Sequence, residues 1–161
     1  LVTRLDFEND ERGVNLSNSF NKLFEYGAVP IVNENDAVAV EEIVFGDNDN
    51  LSATVAKLIN ADGLIILSDI DGLFSGNPKT DDSAVLIPVV DKITEEIEML
   101  AGGAGSKRGT GGMITKIHAA KVAGSAGIPT VIINGSNPDD IYRLIEGRQT
   151  GTFFRPEARE D

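Results

Sequence analysis

A glycine-rich turn that leads into a helix is the segment of this chain best suited to chemistry. Residues 109–116 read Gly-Thr-Gly-Gly-Met-Ile-Thr-Lys. Glycine lets the backbone approach a ligand closely, and the first N–H groups of a helix have no partner inside the helix. Because the helix dipole is positive at that end, the turn favours an anion such as phosphate. Lys116 adds a full positive charge. Taken alone, the pattern fits a phosphate site or a plain loop before a helix equally well.

Other polar side chains stand where strands are expected to end or helices to begin. Asn33 to Asp36 follow one apolar run, Ser68 with Asp69 follow another, and Asn134 follows a third. Asp47 to Asp49 open a helical pattern. Ligands of open α/β sheets bind outside the carboxyl ends of the strands, so these groups are expected to converge. Each group taken singly also suits a structural role, as a helix cap or a turn residue.

Hydrophobic spacing predicts the elements that position these residues. Apolar runs predict strands at 29–32, 43–45, 64–67, 85–87, 130–133 and 152–154. Helical spacing predicts helices near 16–24, 51–59, 94–100 and 138–146, and one after the glycine-rich turn, with Ser136 in a capping box before the fourth. Apolar strands that alternate with helices indicate an α/β fold with a mostly parallel sheet. The loop at 102–112 is a candidate mobile flap.

Composition narrows the functional classes. The 161 residues are typical of one domain or part of a larger one. With no cysteine, the chain has neither disulfides nor thiolate metal ligands, which fits a cytoplasmic protein. A net charge of −12 argues against nucleic acid as a partner, and no apolar run is long enough to span a membrane. The lone His118 is expected to be a packing or surface residue. Neither a P-loop nor a dinucleotide-binding glycine motif is present, and no zinc-ligand spacing occurs.

Five motifs together resemble the amino-acid kinase family, and within it the glutamate kinases. They are 29–36 (Val-Pro-Ile-Val-Asn-Glu-Asn-Asp), 46–53 (Gly-Asp-Asn-Asp-Asn-Leu-Ser-Ala), 67–74 (Leu-Ser-Asp-Ile-Asp-Gly-Leu-Phe), 109–116 and 151–154 (Gly-Thr-Phe-Phe). The resemblance implies a three-layer αβα sandwich. It also implies that residues 1–161 are the C-terminal, nucleotide-binding portion of one kinase domain, with part of the amino-acid site at 28–53. The N-terminal glycine turn, its phosphate-binding lysine and a serine loop of the family pattern are not among these residues.

The resemblance implies transfer of the γ-phosphoryl group of ATP, with Mg²⁺ held mainly by the nucleotide, to the side chain of L-glutamate. Lys116 would be one of two lysines that neutralise the transferred group, and Asp49 would orient them. Glutamate would be held by Asn33, Asp36 and Asn48. The ATP site would be lined by Ser68, Asp69, Thr110, Gly111, Gly112, Met113, Ile114, Thr115 and Lys116. Proline as feedback inhibitor and assembly into a homo-oligomer are further expectations.

Elementary chemistry agrees with this expectation. A glutamate side chain is ionised at neutral pH, so the nucleophile needs no general base. Catalysis then reduces to alignment and charge neutralisation. Two alternatives stay open at this point. One is the same fold acting on aspartate, N-acetylglutamate or a nucleoside monophosphate, and the other is a nucleotide-sensing module without turnover. The isolated chain is expected to bind nucleotide weakly and to turn over little or no substrate.

Overall fold

A computed structural model describes residues 1–35, 37, 48–102 and 112–158 of the chain. In these residues the helices are α1 (Leu5–Glu8), α2 (Asp10–Glu25), α3 (Asn48–Leu58), α4 (Glu95–Gly102), α5 (Met113–Gly124) and α6 (Asp139–Ile145). The strands are β1 (Leu64–Ser68), β2 (Val89–Val90), β3 (Thr130–Asn134) and β4 (Thr152–Phe154). Even the longest of these helices, α2 with 16 residues, is too short to cross a lipid bilayer, and the described part of the chain contains no candidate span.

The four strands form one mixed sheet in the order β1-β3-β4-β2. β1 runs parallel to β3 and β2 runs parallel to β4, whereas β3 and β4 are antiparallel. The parallel register places Ser68 opposite Asn134, so the carboxyl ends of β1 and β3 lie side by side. The predicted α/β class with a mostly parallel sheet is confirmed.

The hydrophobic core lies between the sheet and two helices, α3 and α5. Small residues line the contact between these helices, with Ala53 of α3 and Ala119 and Ala123 of α5 fully buried. Small side chains let two helix backbones approach closely, so α3 and α5 pack along each other and against Ile66 and Ile132 of the sheet. This packing brings the first turns of the two helices together.

The segment 29–32, predicted as a buried strand, is not a strand in the structure. Val29 and Ile31 are almost fully exposed, Ile31 at 96%. The local pairing is a single parallel bridge between Val2 and Glu34, and Asn35 N–H donates to the Val2 carbonyl oxygen at 2.7 Å. An apolar run becomes a strand only where a neighbouring strand accepts its hydrogen bonds, and sequence periodicity does not identify that neighbour.

Two further details differ from the sequence predictions. Residues 85–87 contribute one antiparallel bridge, from Leu86 to Phe74, and the nearby strand is β2. The N–H of Asp139 at the start of α6 donates to Asn137 Oδ1 at 3.3 Å, so Asn137, and not Ser136, supplies the side-chain oxygen. Both polar residues suit a helix start, and only the backbone path decides which one reaches it. The predicted strand at 43–45 lies outside the described residues, and so do residues 103–111 of the loop predicted at 102–112.

Candidate functional site

An ion pair joins the first turns of α3 and α5. Lys116 Nζ lies 3.0 Å from Asp49 Oδ2 and 3.3 Å from Asp49 Oδ1. Both side chains are mostly shielded from water, at 15% exposed for Lys116 and 16% for Asp49. The two residues are far apart in sequence and meet because α3 and α5 pack side by side. The sequence singled out both residues, and the fold brings them into contact.

The Thr115 hydroxyl belongs to the same cluster. Its Oγ1 lies 2.7 Å from Asp49 Oδ2 and 2.8 Å from the Gly112 carbonyl oxygen. A hydroxyl has one proton, so it donates to one of these acceptors at a time, and the carboxylate is the stronger acceptor. Asp49 therefore has both Lys116 and Thr115 as partners. The resemblance assigns Thr115 to the ATP site, whereas in the structure its hydroxyl contacts Asp49 and the Gly112 carbonyl oxygen.

The N-terminus of α5 has the features of an anion site. Gly112 precedes the helix with φ 117°, a conformation that favours glycine, and in the part of the chain that the structure describes no atom would lie within 4 Å of a Cβ at this position. The first turn comprises Met113, Ile114, Thr115 and Lys116 and contains no acidic residue. The N–H groups that a helix start leaves without partners inside the helix and the nearby ammonium group together favour a negatively charged ligand.

A polar rim lies at the carboxyl ends of β1 and β3. Ser68 Oγ lies 3.4 Å from Asp69 Oδ1, and the Gly135 N–H donates to the Ser68 carbonyl oxygen at 2.8 Å. Asn134 Nδ2 donates to Asp71 Oδ1 at 2.8 Å. Asp69 is exposed and Ser68 is half-buried. The structure therefore groups the predicted Ser68 and Asp69 with Asp71 and Asn134 at the edge where α/β sheets bind ligands.

An apolar cavity of about 470 Å³ opens next to the start of α5. Its lining comes from the loop after β1 and from α4, and Met113 of α5 contributes to it as well. Gly72, Leu73 and Phe74 form part of one wall, and Met99 and Leu100 lie on the α4 side. This volume is in the range of small-molecule sites. Apart from Met113, sequence reasoning did not assign this lining to a site. The signal available in the sequence was Met99 and Leu100, two adjacent large apolar residues. In the structure these two residues stay exposed at 66% and 40%.

The residues predicted to hold the amino acid are only partly described. Asn33 and Asn48 are both exposed, Asn48 as the first residue of α3 and next to Asp49. Asp36, Thr110 and Gly111 lie outside the described residues, as do Asp47, Lys107 and Arg108. Where the structure describes the chain, no three His, Asp or Glu side chains gather as ligands for a metal ion.

Three of the described carboxyl groups have displaced pKa values, and all three lie away from the ion pair. The Ser83 hydroxyl and backbone N–H lower the pKa of Asp81. A hydrogen bond from the Thr3 backbone lowers the pKa of Asp6. Lys121 lowers the pKa of Glu98 through a hydrogen bond, and the same contact raises the pKa of Lys121. These groups are surface contacts that stabilise local structure.

Comparison with known proteins places this geometry in a family. The model of the amino acid kinase family matches residues 1–134. The chain is 54% identical to the glutamate 5-kinase of Clostridium acetobutylicum over 99% of this chain and 60% of that protein. It is 53% identical to the glutamate 5-kinase of Syntrophotalea carbinolica over 97% of this chain and 42% of that protein. The chain thus spans about half the length of the curated relatives it matches.

Solved structures agree on the fold. The isopentenyl phosphate kinase of T. acidophilum superposes with a TM-score of 0.61 at 22% identity, over 86% of this chain and 52% of that chain. The UMP kinase of Bacillus anthracis gives a TM-score of 0.58 at 15% identity, over 88% and 52%. At such identities the likeness concerns the fold alone. Since the family model covers most of the chain and the sheet and helices have the same arrangement in these kinases, the chain belongs to the amino acid kinase family.

Proposed function

We propose that the protein containing these residues transfers the γ-phosphoryl group of ATP to the side-chain carboxylate of L-glutamate. A carboxylate oxygen attacks the γ-phosphorus, the bond from that phosphorus to the β-γ bridging oxygen breaks, and ADP leaves. The product, glutamyl 5-phosphate, is the first intermediate of proline synthesis. The observation that carries the proposal is the Lys116–Asp49 pair at the anion-binding start of α5. The identity to glutamate 5-kinases favours glutamate over aspartate, N-acetylglutamate or a nucleoside monophosphate.

The central difficulty of this reaction is that two anions must meet. Glutamate is ionised at neutral pH, so its attack needs charge neutralisation and not a base. Lys116 offsets the charge of the transferred group, and the helix start adds N–H donors. Asp49 holds the ammonium group of Lys116 in place, and Thr115 fixes Asp49 in turn. We assign to a second lysine, outside these residues, the role of acting together with Lys116 on the transferred group.

The apolar cavity suits the base of the nucleotide. A purine is flat and weakly polar, and the cavity lies between the Gly72–Phe74 wall and the exposed Met99 and Leu100. Ser68 and Asp69 at the strand end, together with the segment from Thr110 to Lys116, complete the ATP site. Mg²⁺ accompanies the nucleotide, which supplies phosphate oxygens as its ligands. Magnesium supplies further charge neutralisation at the phosphates when it is bound.

The amino-acid side of the site is assigned to Asn33, Asp36 and Asn48. A carboxylate such as Asp36 suits the α-ammonium group of glutamate, and amides suit its carboxylate. Proline as feedback inhibitor would compete near these residues. Assembly into a homo-oligomer and a cytoplasmic location belong to the same proposal. The 161 residues of this chain alone are expected to bind nucleotide weakly and to turn over little.

The experiment is a substrate panel on the complete protein. ADP release is measured with glutamate, aspartate, N-acetylglutamate and UMP, and acyl phosphate is trapped with hydroxylamine. Glutamate-dependent ADP release with matching hydroxamate supports the proposal. Faster turnover of aspartate or UMP refutes the substrate assignment. Tight nucleotide binding without turnover of any acceptor indicates the sensing module.

A further inference from the structure

The Gly-Thr pair that opens β4 contacts the wall of the apolar cavity from behind. Thr152 is fully buried. Its hydroxyl accepts a hydrogen bond from the Leu73 N–H at 2.8 Å and donates one to the Ile87 carbonyl oxygen at 2.7 Å. One side chain thus satisfies a donor and an acceptor on two different segments. Leu73 is part of the cavity wall, so Thr152 contacts a residue that lines the space a ligand would occupy.

The two segments are also bonded directly to each other. The Ile87 N–H donates to the Leu73 carbonyl oxygen at 2.8 Å, and Phe74 pairs with Leu86. The Thr152 hydroxyl supplies the complementary link from Leu73 N–H to Ile87 C=O. Because buried backbone groups must be paired, removal of the hydroxyl leaves one donor and one acceptor unsatisfied at the base of the wall. The position of the wall therefore depends on this hydroxyl.

Two glycines are fitted to the same contact. Gly72 has φ 151°, and a Cβ there would lie 2.5 Å from Thr152 Oγ1. Gly151 has φ 66°, and a Cβ there would overlap the Ile132 carbonyl oxygen. The absence of side chains lets the loop reach Thr152 and lets Thr152 sit against β3. The close fit on both sides shows that Thr152 is packed tightly between the loop and the sheet.

We propose that Thr152 is a positioning residue for nucleotide binding, acting through the wall formed by Gly72, Leu73 and Phe74. The inference rests on the proposed function, since it takes the cavity as the site of the ATP base. A wall held in place binds a flat base with little loss of conformational freedom. If the wall loses its hydrogen bonds to Thr152, the nucleotide must order the wall when it binds. The free-energy cost of this ordering lowers the affinity for the nucleotide.

The test compares two buried threonines on neighbouring strands of the complete protein. Thr152→Val removes the two hydrogen bonds, whereas Thr130→Val removes a fully buried hydroxyl that has no hydrogen-bond partner among the described residues. We expect Thr152→Val to raise the Kd for ADP and the KM for ATP about tenfold. The KM for glutamate should stay within about twofold, because none of the described residues assigned to glutamate lines the cavity. Thr130→Val should leave all three constants unchanged.

Two further variants keep the test decisive. Thr152→Ser retains the hydroxyl and should bind ADP nearly as well as the parent protein. Gly72→Ala should displace the loop and weaken ADP binding even if Thr152→Val fails to fold. Equal ADP affinity of folded Thr152→Val and the parent, or an equal loss in Thr152→Ser and Thr152→Val, overturns the inference. If the parent protein itself binds no ADP, the proposed function fails instead, so the two failures are distinguishable.

Discussion

Two lysines of α5 each pair with a carboxylate on a neighbouring helix, and their surroundings differ. Lys116 lies 3.0 Å from Asp49 of α3, at the start of α5, with both side chains about 15% exposed. Lys121 lies 2.6 Å from Glu98 of α4, farther along the helix, with exposures of 55% and 29%. The shorter pair is the more exposed one, so distance alone does not rank the two contacts.

The comparison shows how location decides what an ion pair does. An exposed pair gains little, because water and salt screen it and both long side chains lose freedom. The Lys116–Asp49 pair at the helix start is shielded from water, so its charges act on a nearby anion through a medium that is less polar than bulk water. The same helix start contributes Met113 to an apolar cavity, and Thr115 gives Asp49 a further hydrogen bond. We infer that the Lys121 pair stabilises the α4–α5 contact, whereas the Lys116 pair serves phosphoryl transfer.

The largest expected effect comes from replacing Lys116, and the replacement of Lys121 serves as its control. Lys116→Met should lower kcat for glutamate-dependent ADP release about 10³-fold, because it removes the cation that we propose to stabilise the transition state. Lys121→Met is the matched control, with the same change on the same helix, and should keep kcat. Steady-state kinetics on the complete protein, with circular dichroism to verify folding, measure both. Comparable losses in the two variants would abolish the distinction between the pairs.

A smaller effect is expected from the residue that supports Asp49. Thr115→Val removes the hydroxyl that lies 2.7 Å from Asp49 Oδ2 and should lower kcat about tenfold, with the KM for ATP nearly unchanged. Thr115→Ser keeps the hydroxyl and should restore most of kcat. A change confined to the KM for ATP would mean that Thr115 contacts the nucleotide directly, as the resemblance implies, and that its contact with Asp49 has no role.

The smallest expected effect is on the free energy of unfolding, through the pH-dependent contribution of the exposed Lys121–Glu98 pair. The contact lowers the pKa of Glu98 below its ordinary 4.5 and raises the pKa of Lys121 above its ordinary 10.5. The contribution of Glu98 to the stability of the fold is therefore present above pH 4.5 and fades as pH falls through its lowered pKa. The Lys121 contribution is present below pH 10.5 and fades as pH rises through the raised value.

Urea unfolding of the parent and of Lys121→Met tests this contribution. The parent should be slightly more stable at pH 7, and the difference should vanish well below pH 4.5, where Glu98 is protonated. High salt should also reduce the difference, since the pair is exposed. A difference that persists unchanged at low pH would show that packing of the lysine stem, and not its charge, stabilises the α4–α5 contact.

Sequence reasoning succeeded where local chemistry is sufficient. The helix starts at Asn48 and Met113 and the buried strand predicted at 130–133 follow from polar residues suited to helix starts, glycine placement and continuous apolar runs. It failed where a partner decides the outcome. The run at 29–32 has strand-like residues yet forms no strand and leaves Val29 and Ile31 exposed, and the side-chain oxygen near the start of α6 comes from Asn137 instead of Ser136. The apolar cavity was missed because its lining comes from distant segments, including Met99 and Met113.

The sequence by itself determined the chemical inventory of this protein. It established the glycine-rich entry to α5, the charge of Lys116 and Asp49, and the polar residues that follow each strand, since these depend on residue type and short spacing. Only the tertiary structure decided that Asp49 meets Lys116, that Thr115 donates to Asp49, and that Thr152 supports the wall of a cavity. Those contacts join residues far apart in the chain, and packing of α3 against α5 and of β4 against β3 creates them.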